Sequence, residues 1–238
     1  RSRRQGWTYA RPLSSRGDPS QRPGSTVKPP PTILIATKNR GKLREVQDIL
    51  AGLPVVLTTL DQFPDLPDAV EDADTFAGNA ERKAMHYARL TGLWTLADDS
   101  GLEVDALGGA PGVYSARYAG RQGDDAANNA KLIAQLSGVP VEQRTARFRC
   151  AIALAGPVGI LAAARGTFEG LIVDDPRGSS GFGYDPHFFV PELQMTAAQL
   201  PPEQKNRISH RAQALTAIMP DIQRLLATET GFQERDPT

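Results

Sequence analysis

The sequence predicts an α/β fold, a mixed sheet flanked by helices, and three stretches carry that expectation. Ile33, Leu34 and Ile35 form a short apolar run, as in a strand covered on both faces. Turn residues Thr37, Asn39 and Gly41 break it, and a helical stripe of Leu43, Val46, Ile49 and Leu50 follows. Leu93 to Ala97 repeats the apolar run after a helix-period stretch. Phe148, Cys150, Ile152 and Leu154 alternate with Arg147, Arg149, Ala151 and Ala153, the period of a strand. Gly156-Pro157-Val158-Gly159 then turns the chain back into Ile160 to Phe168, an antiparallel hairpin that makes the sheet mixed.

With 238 residues, 40% of them hydrophobic, one large domain or two small lobes is expected. The formal net charge is zero but unevenly spread. Residues 1–31 hold seven basic residues and one acid, Asp18, leaving 20 basic and 26 acidic residues in the rest. An acidic body does not suit a protein that coats nucleic acid. A single cysteine, Cys150, excludes an internal disulfide and fits a reducing compartment. Without a transmembrane-length apolar run or a signal-peptide core, a soluble, cytoplasmic protein with no membrane partner is expected.

Residues 1–31, rich in Arg, Ser, Pro and Gly, read as a disordered basic tail or as an organellar transit segment. The folded domain is expected over residues 32–228, and residues 229–238 as a frayed end.

The strand-loop-helix at Ile33 to Leu50 aims backbone N–H groups and a helix N-terminus at one point, where an anion is stabilised. Lys38, Arg40 and Lys42 add positive charge. A Walker A loop needs glycine where Ala36 stands and Ser or Thr where Leu43 stands, so only Gly41-Lys42 fits. The stretch is a phosphate loop outside that class, with any metal held elsewhere, or an ordinary turn with solvated lysines.

Val55 to Thr58 reads as a further strand. Residues 61–74 form an acidic loop, either a plain solvated surface or one that sends an acid to a metal. A helix starts near Thr75, capped by Asp74 or Thr75, packs through Phe76, Ala80, Ala84, Tyr87, Ala88 and Thr91, and stops at Gly92. The Leu93–Ala97 strand is expected to deliver Asp98, Asp99 and Ser100 into a turn ended by Gly101. Strand ends are where α/β sheets place ligands, and neighbouring strand residues face opposite ways. One of the two aspartates therefore faces a cleft as a metal ligand while the other supports it; the bland alternative is an Asx turn.

Another helix starts at Asp124 or Asp125. Residues 176–186, dense in Gly and aromatics, make either a surface loop or a shaped pocket wall, in which Phe182 and Tyr184 could stack on a flat base. His187 to Val190 is a strand. Lys205 to Arg211 leads into a last helix through Leu215, Ile218, Ile222 and Leu226. Ser209 is its cap, which puts His210 and Arg211 in the first turn, and Pro220 is expected to kink or split it.

Six motifs occur in order: Thr37-x-Asn39-x-Gly41-Lys42, Thr75-Phe76-x-x-Asn79-Ala80, Leu96 to Leu102, Leu107 to Tyr118, Gly181 to Pro186, and Lys205-Asn206-x-Ile208-Ser209-His210-Arg211. Together they resemble the inosine triphosphatase family, whose bacterial branch is the RdgB/Ham1-like non-canonical purine nucleoside triphosphate pyrophosphatases. The resemblance implies an elongated mixed sheet in two lobes around a deep central cleft, and a homodimer. It implies magnesium-dependent hydrolysis of ITP, dITP and XTP to the monophosphate and pyrophosphate. It implies Asp99 as catalytic acidic residue and metal ligand, with Glu71 as a second metal-linked carboxylate. Thr37, Lys38, Asn39, Arg40, Gly41 and Lys42 match the triphosphate loop. Ser100, Phe182, Gly183, Tyr184, Asp185, Lys205, His210 and Arg211 match the nucleotide contacts, the last two and Lys205 as donors to a 6-oxo group. Two positions depart from the family pattern: Gly78 stands where Glu is usual, and His187 where an apolar residue is usual. A non-catalytic purine nucleotide-binding protein and a less selective NTPase are the alternative functions.

Overall fold

The computed structural model describes residues 30–229. The expected tail and frayed end fall, except for their innermost residues, outside the described residues. A seven-stranded open sheet runs in the order β2-β1-β3-β4-β5-β6-β7. β1 (Thr32–Ile35) pairs in parallel with β2 (Val56–Thr59) and β3 (Trp94–Val104). From β3 onward the pairing is antiparallel, through β4 (Thr145–Gly156), β5 (Gly159–Ile172), β6 (Phe188–Val190) and β7 (Met195–Thr196).

Alternation along β4 decides which helix covers which face. Cys150, Ile152 and Leu154 meet α1 (Arg40–Leu50) and α5 (His210–Glu229) through Val46, Leu50, Leu215, Ile218 and Ile222. Ala151, Ala153 and Ala155 face the other way, against Ala80, Ala84 and Ala88 of α2 (Phe76–Thr91). Small residues on both sides let α2 lie close to the sheet. A third cluster, around Leu102, Val104, Phe148, Phe168 and Phe188, fills the far end beneath α3 (Asp125–Gln135). The long strands β3, β4 and β5 thus join two lobes.

Thr75, not Asp74, caps α2, its side chain accepting from Gly78 N–H, and Gly92 ends the helix in the left-handed region at φ 72°. Two expectations are corrected. Asp98 to Gly101 is not a turn: β3 runs straight through, because β4 pairs with every residue there, Asp98 with Ile152 and Gly101 with Arg149. Gly101 is needed for a close approach instead, since a Cβ on it would lie 2.4 Å from Ser115 Oγ and 2.5 Å from the Gly112 carbonyl. Lys205 does not sit in a lead-in loop but in a short helix, α4 (Pro202–Ile208), which starts with proline, a residue suited to a first turn. Extended Ser209 separates it from α5, and Ser209 Oγ accepts from Ala212 N–H as the expected cap. Pro220 does not split α5, which continues past it. The carbonyl left without a donor belongs to exposed Thr216, where water can serve it. Among the described residues, no helix is long and apolar enough to cross a membrane.

Candidate active site

A cleft of about 560 Å³ opens between the lobes, within the range of small-molecule sites. Thr37, Lys38, Asn39, Lys42, Glu71, Asp99, Ser100, Phe182, Gly183, Tyr184, Asp185, Lys205, His210 and Arg211 line it. Arg40 and Gly41 are not among the lining residues. Arg40 starts α1 with its side chain exposed, and Gly41 lies beneath the Phe182 ring.

Because β3 continues through them, Asp98 and Asp99 face opposite sides of the sheet. Asp98 is buried on the α1/α5 side, 3.0 Å from Lys42 Nζ and 3.2 Å from Arg211 Nη2. Burial opposes its ionisation, but Lys42, Arg211 and Lys83 outweigh burial and hold the carboxyl far below the usual range. Asp99 faces α2. Its Oδ2 accepts from Asn79 Nδ2 at 3.0 Å and its Oδ1 from Ser100 N–H at 3.0 Å. Burial raises the Asp99 pKa, and the opposing pull of Lys42, Lys83 and Asn79 does not cancel the rise. A carboxylate made more basic in this way, facing a cleft, suits proton abstraction.

The loop before α1 works differently from the sequence expectation. Asn39 Oδ1 already accepts from the N–H groups of Gly41, at 2.8 Å, and Lys42, at 3.1 Å. Those amides are satisfied by the cap, so anion attraction there comes from the Lys42 ammonium and the helix dipole. Lys38 pairs with Asp68 on the exposed rim.

Lys205 Nζ lies 2.6 Å from Asp185, 3.2 Å from Glu45 and 4.9 Å above the Phe182 ring. Arg211, 1% exposed, bonds Asp98, Glu45 and Ser100 Oγ. Both cations are held by protein carboxylates; the third expected donor to a base is the His210 ring, in the same cleft. That ring stacks on Phe148, centroids 4.9 Å apart and planes 16° apart. Its Nδ1 is buried without a partner among the described residues. Burial, then Arg211, Lys205 and Lys42, push its pKa well below the usual value, so the imidazole is neutral. A buried polar atom without a partner costs about 1–3 kcal/mol unless something bonds it.

Sequence reasoning did not place Glu45 or Lys83 in the site, and read Phe148 only as a strand residue. Lys83 is buried in α2 one turn after Asn79, and its Nζ lies 2.7 Å from Glu71 Oε2. Two polar residues four apart on an otherwise apolar stripe are the signal that could have found it. Glu45 gave no local signal. Of the two departures, Gly78 makes room for the acidic loop: a Cβ there would lie 2.9 Å from that of Ala73. His187 is buried, its Nδ1 2.9 Å from the Val173 carbonyl.

Magnesium prefers oxygen ligands and is commonly held by one or two carboxylates together with substrate phosphates. Each Asp99 oxygen accepts one hydrogen bond and keeps a second lone pair, and Asp99 forms no ion pair among the described residues. Glu71 stands in the same cleft. No group of three His, Cys, Asp or Glu side chains gathers as a closed metal cage among the described residues. This donor set fits magnesium completed by phosphate.

Fold and site together define an open mixed α/β protein whose cleft is lined by charged and aromatic side chains. A model of the Ham1 family matches residues 33–221, and the chain belongs to that family. It is 55% identical over 186 residues to the dITP/XTP pyrophosphatase of Geobacter sulfurreducens, covering 78% of this chain and 94% of that one. Against the dITP/XTP pyrophosphatase of Geobacillus kaustophilus it is 54% identical over 186 residues, covering 78% and 91%. The solved structure of a HAM1 protein from Coxiella burnetii superimposes with a TM-score of 0.75 at 43% identity, covering 82% of this chain and 99% of that one.

Proposed function

We propose that the protein hydrolyses non-canonical purine nucleoside triphosphates, ITP, dITP and XTP, to the nucleoside monophosphate and pyrophosphate, and so cleanses the nucleotide pool. The observation that carries the reading is Asp99, a cleft carboxylate whose pKa is raised by burial against the pull of buried Lys83 and half-buried Lys42, in a chain so similar to named dITP/XTP pyrophosphatases.

The triphosphate lies along the Lys42 end and the purine beside Phe182 and His210. Asp99 orients a water and takes its proton as the water oxygen bonds to the α-phosphorus. The bond from that phosphorus to the bridging oxygen breaks, pyrophosphate leaves, and the proton passes to solvent. Lys42 stabilises charge on the phosphate oxygens. Lys83, whose charged form is kept by Asp98, Glu71 and Asp99 against the cost of burial, balances the carboxylates. Asp99 and Glu71 would hold magnesium, which supplies charge neutralisation on the polyphosphate.

Phe182 stacks on the base, and neutral His210 offers the 6-oxo group a ring N–H. Adenine presents an amino donor there, so a donor meets a donor and ATP is disfavoured. A cytoplasmic homodimer is inferred with this function on the strength of the family resemblance.

Pyrophosphate release from ITP, XTP, GTP and ATP, with and without magnesium, tests the reading. Turnover of ITP and XTP well above GTP and ATP is expected. Binding without turnover would leave a nucleotide sensor, and equal rates a general NTPase. Light scattering and cell fractionation test the dimer and its location.

A further inference from the structure

The segment that carries Phe182 belongs to no helix or strand, yet it is tied at both ends of the Phe182–Gly183 unit. Gly183 N–H donates to Asp125 Oδ2 at 2.8 Å. Asn129 Nδ2 donates to the Gly183 carbonyl at 2.9 Å and to the Asp125 carbonyl at 2.9 Å. Asp125 and Asn129 stand four residues apart in the first turns of α3, so they share a face. Gly183 is in the left-handed region at φ 63°, a conformation costly for other residues. On the other side, Phe182 N–H donates to Asp185 Oδ2 at 2.8 Å, and that carboxylate holds Lys205. The backbone on either side of the Phe182 ring is therefore held by hydrogen bonds to two anchors, Asp185 within the segment and the α3 pair outside it, while α1 at Gly41 and the Lys205 ammonium contact the ring itself.

We propose that Asp125 and Asn129 are positioning residues for purine selection: by gripping both polar groups of Gly183 they set where the Phe182 ring meets the base. The inference rests on the reading of the cleft as a purine triphosphate site. Neither residue is needed for the chemistry at Asp99. Loss of the grip weakens base binding and discrimination and leaves the chemical step.

The test uses the full chain with Asp125→Ala, Asn129→Leu, their double variant and the conservative Asp125→Asn, whose amide oxygen still accepts from Gly183 N–H. KM and kcat are measured for ITP and GTP, with thermal midpoints alongside. The double variant is expected to raise KM for ITP roughly tenfold, with kcat within about twofold, and to narrow the preference for ITP over GTP, as displaced positioning groups do. Asp125→Asn is expected to restore most of the wild-type KM. Combined with Phe182→Leu, the α3 changes are expected to add little, since both act through one ring. Wild-type KM and selectivity in a folded double variant would overturn the proposal, and so would losses that add fully to those of Phe182→Leu. Should the double variant not fold, the single Asn129→Ser variant decides by the same KM and selectivity readings. Wild-type protein that fails to turn over ITP sinks the functional reading itself, whereas active wild type with unaffected variants sinks only this inference.

Discussion

Gly41 and Phe182 touch across the cleft: a Cβ on Gly41 would lie 2.5 Å from Cδ1 and 2.8 Å from Cε1 of the Phe182 ring. The first turn of α1, beside Lys42, thus directly supports the aromatic wall. Gly41→Ala is expected to push the ring off α1 and raise KM for ITP several-fold. Stability is expected to change little, because alanine's helix advantage of up to about 1 kcal/mol is opposed by crowding against the ring and the Asn39 cap oxygen. Kinetics and a thermal melt on the same preparation check this opposition; an unchanged KM would disprove the contact's role.

Asp99→Asn keeps the shape of the side chain and removes its basicity. A fall in kcat of roughly 10²-fold or more is expected. Because burial raises the Asp99 pKa above 3.8, the carboxylate takes up its proton at a higher pH than a free aspartate. Activity is therefore expected to be lost, as pH falls, on a limb centred above 3.8. An acid limb of kcat/KM that is unmoved in Asp99→Asn would exclude Asp99 as the base.

Chelation of divalent cations is expected to abolish turnover, and added magnesium to restore it. Glu71→Gln is expected to raise the magnesium concentration needed for half-maximal rate roughly tenfold, if Glu71 shares the ion with Asp99. An unchanged magnesium dependence in that variant would leave Glu71 only its pairing with Lys83.

His210 links folding to pH. Its folded pKa lies well below the unfolded value of 6.5, so the unfolded chain binds a proton that the folded one refuses. The stability this contributes is present above pH 6.5 and is lost as pH falls toward the folded value. The expected slope is up to about 1.4 kcal/mol per pH unit from this one group. Denaturant melts at pH 7.5, 6.5 and 5.5 are expected to show less of that fall in His210→Leu; an equal slope in both proteins would contradict it.

Arg211→Met removes a guanidinium that faces Asp98 and Glu45 from a site 1% exposed. Asp98 then keeps only Lys42 and Glu45 only Lys205, and a loss of up to about 3–5 kcal/mol is expected. Chemical denaturation measures it. A loss below about 1 kcal/mol would mean that water or Lys42 and Lys205 replace the missing charge.

Much of this protein is written locally in its sequence. The strand at Ile33, the α2 stripe capped by Thr75, the two-faced β4 and its tight hairpin follow from apolar period, capping and turn chemistry, which act between near neighbours. Thr37 to Lys42, Asp99, Ser100, Phe182 to Asp185, Lys205, His210 and Arg211 could be read without any structure, and all of these but Arg40 and Gly41 line one cleft. Their division of labour could not be read. Asn39 spends the α1 amides on its own cap. Glu45 reaches Arg211 across 166 positions, and Asp125 reaches Gly183 across 58. Asp98 and Asp99, adjacent in the chain, part company only because β4 keeps β3 extended between them. Ion pairs and hydrogen bonds of this range leave no periodic trace, since which charge meets which is decided only when the lobes close around the cleft.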